Sequence, residues 1–207
     1  MFEDRTDAGE RLADHLLAVG VEADVVLAIP RGALPVARPV ANALDAPLDV
    51  VVASKIGAPG NPELALGAVA SDGSMWLNDD LVDRRRVDGA YLDREREREA
   101  AYAREKADRY RADGQLPDLS GKRVVVVDDG VATGATALAC LRLVRRGGAD
   151  EIVLAVPVGS PDSLARLADD ADRVIALERP TSFRAVGQYY RRFDQVSDEE
   201  AIAYLER

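Results

Sequence analysis

The sequence predicts an α/β fold, a parallel sheet flanked by helices on both faces. Three observations lead there. Short, continuous apolar runs recur along the chain, as expected of strands covered on both sides. They alternate with segments of helical periodicity, the order of a parallel sheet with crossover helices. The length, 207 residues, fits one domain with an ample core and room for a small appended hood.

The first segment, Asp7 to Val19, places Ala8, Leu12, Leu16 and Val19 at helical spacing, with Asp7 and Glu10 as a capping box and Gly20 as the stop. Val25 to Ile29 is a buried strand. Pro35 to Leu44 reads as a helix entered through a proline, with Pro39 one turn later weakening it. Leu48 to Ala53 is a second buried strand. Gly57, Pro59, Gly60 and Pro62 then mark a loop too long for a simple connection. Leu66 to Ala70 and Met75 to Leu77 flank Asp72-Gly73 as a hairpin.

Arg84 to Ala112 is the most charged stretch. Glu95 with Arg98, Arg96 with Glu99, and Glu105 with Arg109 fall at helical pair spacings. A solvated helix accounts for this pattern, and a phosphate-binding arm is the alternative. Val124 to Val127 is the strongest strand signal, followed by a helix from Ala137 to Arg146 that stops at Gly147-Gly148. Ile152 to Val156 and Val174 to Leu177 are further strands, with Ser163 to Ala168 a short helix between them. Aromatic and basic residues crowd Arg179 to Phe193 without periodicity, and Ser197 with Glu200 caps a terminal helix.

The net charge is -10, from 37 acidic against 27 basic residues. With no basic tract, general binding to nucleic acid or to an anionic membrane is not expected. The acidic excess suits a high-salt habitat, and a GC-rich genome enriches the same residues; both explanations stay open. The single cysteine, Cys140, excludes an intrachain disulfide and a cysteine-rich zinc site. A charged N-terminus that is no signal peptide, and the lack of an 18-residue apolar run, lead us to expect a cytoplasmic protein.

The chemistry concentrates in Val124 to Thr136, VVVVDDGVATGAT. A buried strand delivers Asp128 and Asp129 to its carboxyl end. Adjacent acids there need a cation or hydroxyl donors, and a ribose cis-diol offers two donors at suitable spacing. Thr133, Gly134, Ala135 and Thr136 then place free backbone N–H groups and two hydroxyls at a helix N-terminus, a phosphate cradle that Gly134 lets a ligand approach. Diol binder and phosphate cradle a few residues apart suit a sugar 5-phosphate. The alternative is a capped helix preceded by a turn. Neither G-x-x-x-x-G-K-[ST] nor a strand-linked G-x-G-x-x-G is present.

This segment resembles the 5-phosphoribosyl 1-pyrophosphate (PRPP) motif of the type I phosphoribosyltransferases along its whole length, and the element order from Val25 to Leu177 agrees. The resemblance implies a type I phosphoribosyltransferase-like fold with a small hood and a mobile flap, one domain over 1–207 with its core at about 7–178 and the hood at about 179–207. It implies that Asp128 and Asp129 hold the ribose hydroxyls, partly through Mg²⁺ bound indirectly, and that Ala132, Thr133, Gly134, Ala135 and Thr136 take the 5-phosphate. Arg31 and Gly32, in IPRGALP, look like the pyrophosphate loop, with a cis peptide expected between Pro30 and Arg31. Lys55 corresponds to a cation that reaches the pyrophosphate. Ile56 to Gly67 matches the flap, and its Glu63 is a weak acid-base candidate against the reading of a surface carboxylate.

The implied reaction transfers the 5-phosphoribosyl group from PRPP to a nitrogen acceptor such as a nucleobase and releases pyrophosphate, with Asp128, Asp129, Lys55 and Arg31 as the catalytic set. Relatives that use 6-oxopurines carry an Asp before the Thr-Gly, where this chain has Ala132. That departure leaves adenine, a pyrimidine or an unusual acceptor more open than hypoxanthine or guanine. Phe183, Val186 and Gly187 are the base-binding candidates, with simple packing the alternative for Phe183. The resemblance also implies a homodimer. A non-catalytic PRPP-binding regulator is the second functional reading, and a phosphoryl-accepting acidic site the third. His15, Cys140 and Trp76 are read as structural.

Overall fold

The computed structural model describes residues 1–111 and 117–206, and of Pro62 and Glu63 only the backbone. Its main sheet has five strands, β1 (Val25–Ala28), β2 (Leu48–Val50), β6 (Arg123–Val127), β7 (Glu151–Val158) and β8 (Arg173–Glu178), in the order β2-β1-β6-β7-β8. Every pairing in it is parallel. Val25, Val26, Leu27 and Ala28 stand beside Val124 to Val127 in register, all of them buried, which is why these runs are apolar at every position instead of alternating.

The strand order also explains the helices. From β1 the chain passes through α2 (Leu34–Ala43) to β2 on one side. From β6 it passes through α5 (Ala135–Arg146) to β7 on the other, and then through α6 (Pro161–Leu167) to β8. Right-handed crossovers running in opposite directions put α2 and α5 on opposite faces. The first helix, α1 (Arg5–Ala18), packs on α2 and reaches β7 and β8. The reversal between β1 and β6 opens a crevice beyond their carboxyl ends, where open α/β sheets bind ligands.

A second, antiparallel sheet joins β3 (Ala53–Ala58), β4 (Asn61–Ala70) and β5 (Met75–Leu77) in that order. The expected hairpin at Asp72-Gly73 is present, with Gly73 at a φ of 84°. Two expectations are corrected here. The run Leu48 to Ala53 is not one strand: β2 ends at Val50 and Ala53 already pairs with Ala70 in the second sheet. The long loop after it is instead a strand pair turning at Pro59-Gly60, where Gly60 has a φ of 73°. Continuous apolar character marks burial but not the sheet a residue joins.

Helix α3 (Asp79–Arg85) is capped by Asn78 and ends at Arg86 in the left-handed region. The charged run from Arg84 is not one helix, since it breaks at Arg86 to Asp88, and its expected end at Ala112 lies outside the described residues; α4 (Gly89–Tyr110) carries the part after the break. Leu92, Ala100, Ala103 and Ala107 are its buried stripe, set against β3 and β4. Arg98 reaches Glu95 and Arg109 reaches Glu105, as the spacing predicts. Glu99 pairs with Arg98 and Ser54 in place of Arg96. Pro39 is accommodated within α2, with Pro35 in the helix's first turn. The terminal helix α7 (Asp198–Leu205) has the capping box of Ser197 and Glu200.

Helix α1 starts two residues earlier than its apolar spacing suggested. Asp4 is the cap, accepting from the Asp7 N–H at 3.0 Å, while the Asp7 carboxylate accepts from the Glu3 N–H at 2.8 Å. Replacing Asp4 by Ala should therefore cost about 1 kcal/mol, a drop of about 2–4 °C in the unfolding midpoint. A clearly larger loss in Asp7→Ala would return the cap to Asp7.

Candidate active site

Strand β6 carries its chain out of the core at Val127, and the next residues line a cavity of about 170 Å³ formed by Asp128, Gly130 and Val131 to Ala137. Gly134 caps α5 with a φ of 78° and no side-chain cap, so the N–H groups of the first turn face the cavity without intrahelical acceptors. The loop is braced from beneath by α6. The Ser163 hydroxyl donates to the Ala132 carbonyl at 2.6 Å, and Arg166 donates to the Thr133 carbonyl at 3.2 Å. Val131 bridges to Gly159 beyond the end of β7. The result is a fixed ring of amide donors at the positive end of a three-turn helix, suited to an oxyanion.

The two acids stand at the rim. Asp128 accepts from the Asp129 N–H at 2.9 Å. Burial, with the neighbouring Asp129 charge, holds the Asp128 carboxyl well above the usual carboxylate range. Burial also raises Asp129, opposed by Arg5. Arg5 Nε meets Asp129 Oδ2 at 2.8 Å, with both side chains under one-fifth exposed. The guanidinium also donates to the Asp194 carbonyl and lies 3.8 Å from the centre of the Phe193 ring. The Tyr190 hydroxyl donates to the Asp129 carbonyl at 2.6 Å.

Among the described residues no group of three acids, histidines or cysteines is placed to hold a metal. Two adjacent carboxylates that burial makes reluctant to ionise alone nevertheless suit Mg²⁺, a cation that keeps its waters and takes one or two carboxylates together with ligand oxygens.

The loop after β1 comes to the same place. The Pro30-Arg31 peptide is cis, and a Cβ on Gly32 would lie 2.2 Å from Asp129 Oδ2, so any side chain at this position would displace the acid from the loop. Lys106 of α4 donates to the Pro30 carbonyl at 2.8 Å. Arg31 pairs at 3.4 Å with Asp198, the first residue of α7, which also accepts from Arg109 and from Tyr110. Arg31 and Gly32 therefore join Asp128 and Asp129 at the switch point.

Lys55 is different. It lies inside β3, paired with Ala68, and lines a separate cavity of about 520 Å³ with Tyr91, Glu95, Arg98 and Glu99 of α4. The Glu63 side chain lies outside the described residues. Phe183 stacks on Tyr189 at 5.6 Å, while Val186 covers Gly130 and Gly187 abuts Phe193. This aromatic cluster seats the C-terminal segment on the motif loop. Cys140 is buried with its thiol toward the Val51 carbonyl, and Trp76 packs against the core. His15 is an exposed residue of α1.

Sequence reading missed Arg5, Lys106, Ser163, Arg166 and Asp198. Each acts across a long sequence separation and carries no periodic signature. One signal was present for Lys106: only three lysines occur in a chain that otherwise uses arginine.

Residues 4–194 match a family model described as a phosphoribosyl transferase domain. The chain is 47% identical over 207 residues to a protein of Mycobacterium tuberculosis H37Rv named "Putative phosphoribosyl transferase Rv0571c", of which it spans 47% of the length. The crystal structure of TT1426 from Thermus thermophilus superposes with a TM-score of 0.81 at 45% identity, covering 99% of this chain and 97% of that one. A 34-residue stretch, 16% of this chain and 19% of the other, is 62% identical to adenine phosphoribosyltransferase of Streptomyces clavuligerus.

The raised carboxyls make a prediction with a definite sign. A carboxyl raised by folding favours the folded state while protonated, and that advantage is lost as pH rises from the ordinary carboxylate range through the raised value. Asp128→Asn keeps an acceptor for the Asp129 N–H and removes the charge. Its unfolding midpoint should exceed that of the unmodified chain by a few degrees at neutral pH, with the gap closing in acid. A lower midpoint at neutral pH would contradict the electrostatic account.

Proposed function

The chain belongs to the phosphoribosyl transferase family, and from that premise we propose that it transfers the 5-phosphoribosyl group of PRPP to a nitrogen acceptor, with release of pyrophosphate. The observation that carries this reading is the meeting of Gly32 with Asp129 beside the amide ring of α5. It supports a reading in which the amide ring takes a phosphate, the acids a diol and the Arg31-Gly32 loop a pyrophosphate, the three parts of PRPP. The matched relatives include chains about twice as long as this one, so the activity of the whole protein in such relatives is not assumed.

In this proposal the N–H groups at Ala132 to Thr136, with the Thr133 and Thr136 hydroxyls, hold the 5-phosphate, and Asp128 and Asp129 accept from the ribose hydroxyls. The nitrogen of the acceptor forms its bond to C1 as the bond from C1 to the pyrophosphate oxygen breaks, the bonding pair leaves with the pyrophosphate, and the proton of the acceptor nitrogen passes to solvent. Positive charge grows on the ring in the transition state, and the two carboxylates lie where they stabilise it. Arg31 and the Gly32 amide receive the departing charge, with Arg31 exchanging Asp198 for the phosphate oxygens. Bound Mg²⁺ would supply Lewis-acid neutralisation of the pyrophosphate. Lys55, on the β3-β4 hairpin, joins the set if that hairpin closes on the substrate, and closure would also keep water from C1.

Ala132 favours an acceptor other than a 6-oxopurine, and the short match to an adenine phosphoribosyltransferase agrees with adenine as one candidate beside a pyrimidine or an unusual acceptor. We carry the homodimer and the cytoplasmic location forward as parts of the same proposal. Pyrophosphate release from PRPP, measured with Mg²⁺ and a panel of purines, pyrimidines and simple amines, tests the reading. Release is expected with adenine or another acceptor that is not a 6-oxopurine, and Asp128→Asn with Asp129→Asn should lower turnover at least about a hundredfold. Tight PRPP binding without release from any acceptor would favour a sensor, and full turnover in the double variant would sink the site assignment.

A further inference from the structure

Helix α4 is the most charged element of the chain, and most of its charges meet solvent or one another. Lys106 does neither. Three features set it apart. It is half-buried beside the stripe of Ala103 and Ala107, on the side of α4 that faces the sheets. Its ammonium group donates to the carbonyl of Pro30, 76 residues away, at 2.8 Å. Burial depresses its basicity, with Arg31 adding to the effect, while Asp128 and Asp198 favour the charged form.

An ammonium group taken out of water needs compensation, and here it receives a backbone carbonyl and two carboxylates nearby. The carbonyl belongs to the residue that leads directly into Arg31 and Gly32. The rest of this loop is tied at other points. The Ile29 N–H donates to the Val127 carbonyl at 2.9 Å, and the Leu34 N–H to the Arg31 carbonyl at 3.1 Å. Lys106 supplies the tie between these two, from an element that contributes nothing to the main sheet.

We propose that Lys106 is a positioning residue of the phosphoribosyl transfer reaction, holding the Pro30 carbonyl so that Arg31 and the Gly32 amide face the pyrophosphate of PRPP. This inference rests on the reading of Arg31-Gly32 as the pyrophosphate loop. It assigns a role in substrate binding to a helix whose sequence reads as a solvated charged rod, and it makes that role local. The 5-phosphate ring of α5 has its own braces in Ser163 and Arg166, so it does not depend on Lys106.

That independence supplies the test. Lys106→Met keeps most of the side-chain volume and removes the ammonium group. Affinities for PRPP, for inorganic pyrophosphate and for ribose 5-phosphate are measured by calorimetry on the full chain, each with Mg²⁺, alongside the unfolding midpoint. Pyrophosphate and PRPP are expected to bind about tenfold or more weakly in Lys106→Met, the loss of one charge-assisted hydrogen bond, while ribose 5-phosphate, which does not reach this loop, loses clearly less. Lys106→Arg, which retains a charged donor, should recover most of the loss. If the methionine variant does not fold, Lys106→Gln is read in the same way.

A uniform loss of all three ligands, or no loss of any, overturns the role of Lys106. Failure of the unmodified chain to bind pyrophosphate or PRPP overturns instead the reading on which the inference rests, so the two failures are distinct.

Discussion

Asp128 and Asp129 leave the end of β6 side by side, each raised by burial and Asp128 further by its neighbour's charge. Two like charges at the mouth of an apolar sheet are tolerable only with compensation, and much of the surrounding structure provides it. Arg5 arrives from the first residue of α1, Lys106 lies near from α4, and the Tyr190 hydroxyl donates to the Asp129 carbonyl. Gly32 gives way so that the acid can lie against the neighbouring loop. Elements distant in sequence thus converge on one point, and the C-terminal segment is held there through Phe193 under Arg5 and Val186 on Gly130.

The same arrangement bears on the apparent conflict between a chain of net charge -10 and the polyanionic ligand proposed for it. Many charges lie elsewhere and offset one another, in pairs such as Glu22 and Asp24 with Arg123, or along α4, where acids and bases balance. At the crevice Arg5, Arg31 and Lys106 match Asp128, Asp129 and Asp198 in number, and the N-terminus of α5 adds its positive end. In molar salt the Debye length falls to about 3 Å, so contacts of this kind outweigh the field of the whole surface.

What the sequence makes legible is local. The all-apolar strands announce a parallel sheet because Val25 to Ala28 and Val124 to Val127 are buried on both faces. The stretch from Val124 to Thr136 announces its site because strand end, acids, glycine and helix start are contiguous. What remains hidden depends on tertiary placement. The run Leu48 to Ala53 divides between two sheets without any change in residue character. The turn at Pro59-Gly60 joins paired strands where composition suggests an open loop. Arg5 meets Asp129 across 124 positions, and Asp198 meets Arg31 across 167; neither contact leaves a pattern in the chain. Helix α4 shows both sides of this limit, since its ion pairs follow from spacing but the inward course of Lys106 does not.

The central claim is that one crevice, at the reversal of strand order between β1 and β6, receives a phosphate, a diol and a pyrophosphate together. A crystal structure with PRPP and Mg²⁺ tests it most directly. The 5-phosphate is expected within hydrogen-bonding distance of the Ala132 to Thr136 amides, the ribose hydroxyls on Asp128 and Asp129, and the pyrophosphate at Arg31 and Gly32. PRPP bound instead in the cavity between β3 and α4, or with its pyrophosphate at the N-terminus of α5, would contradict it.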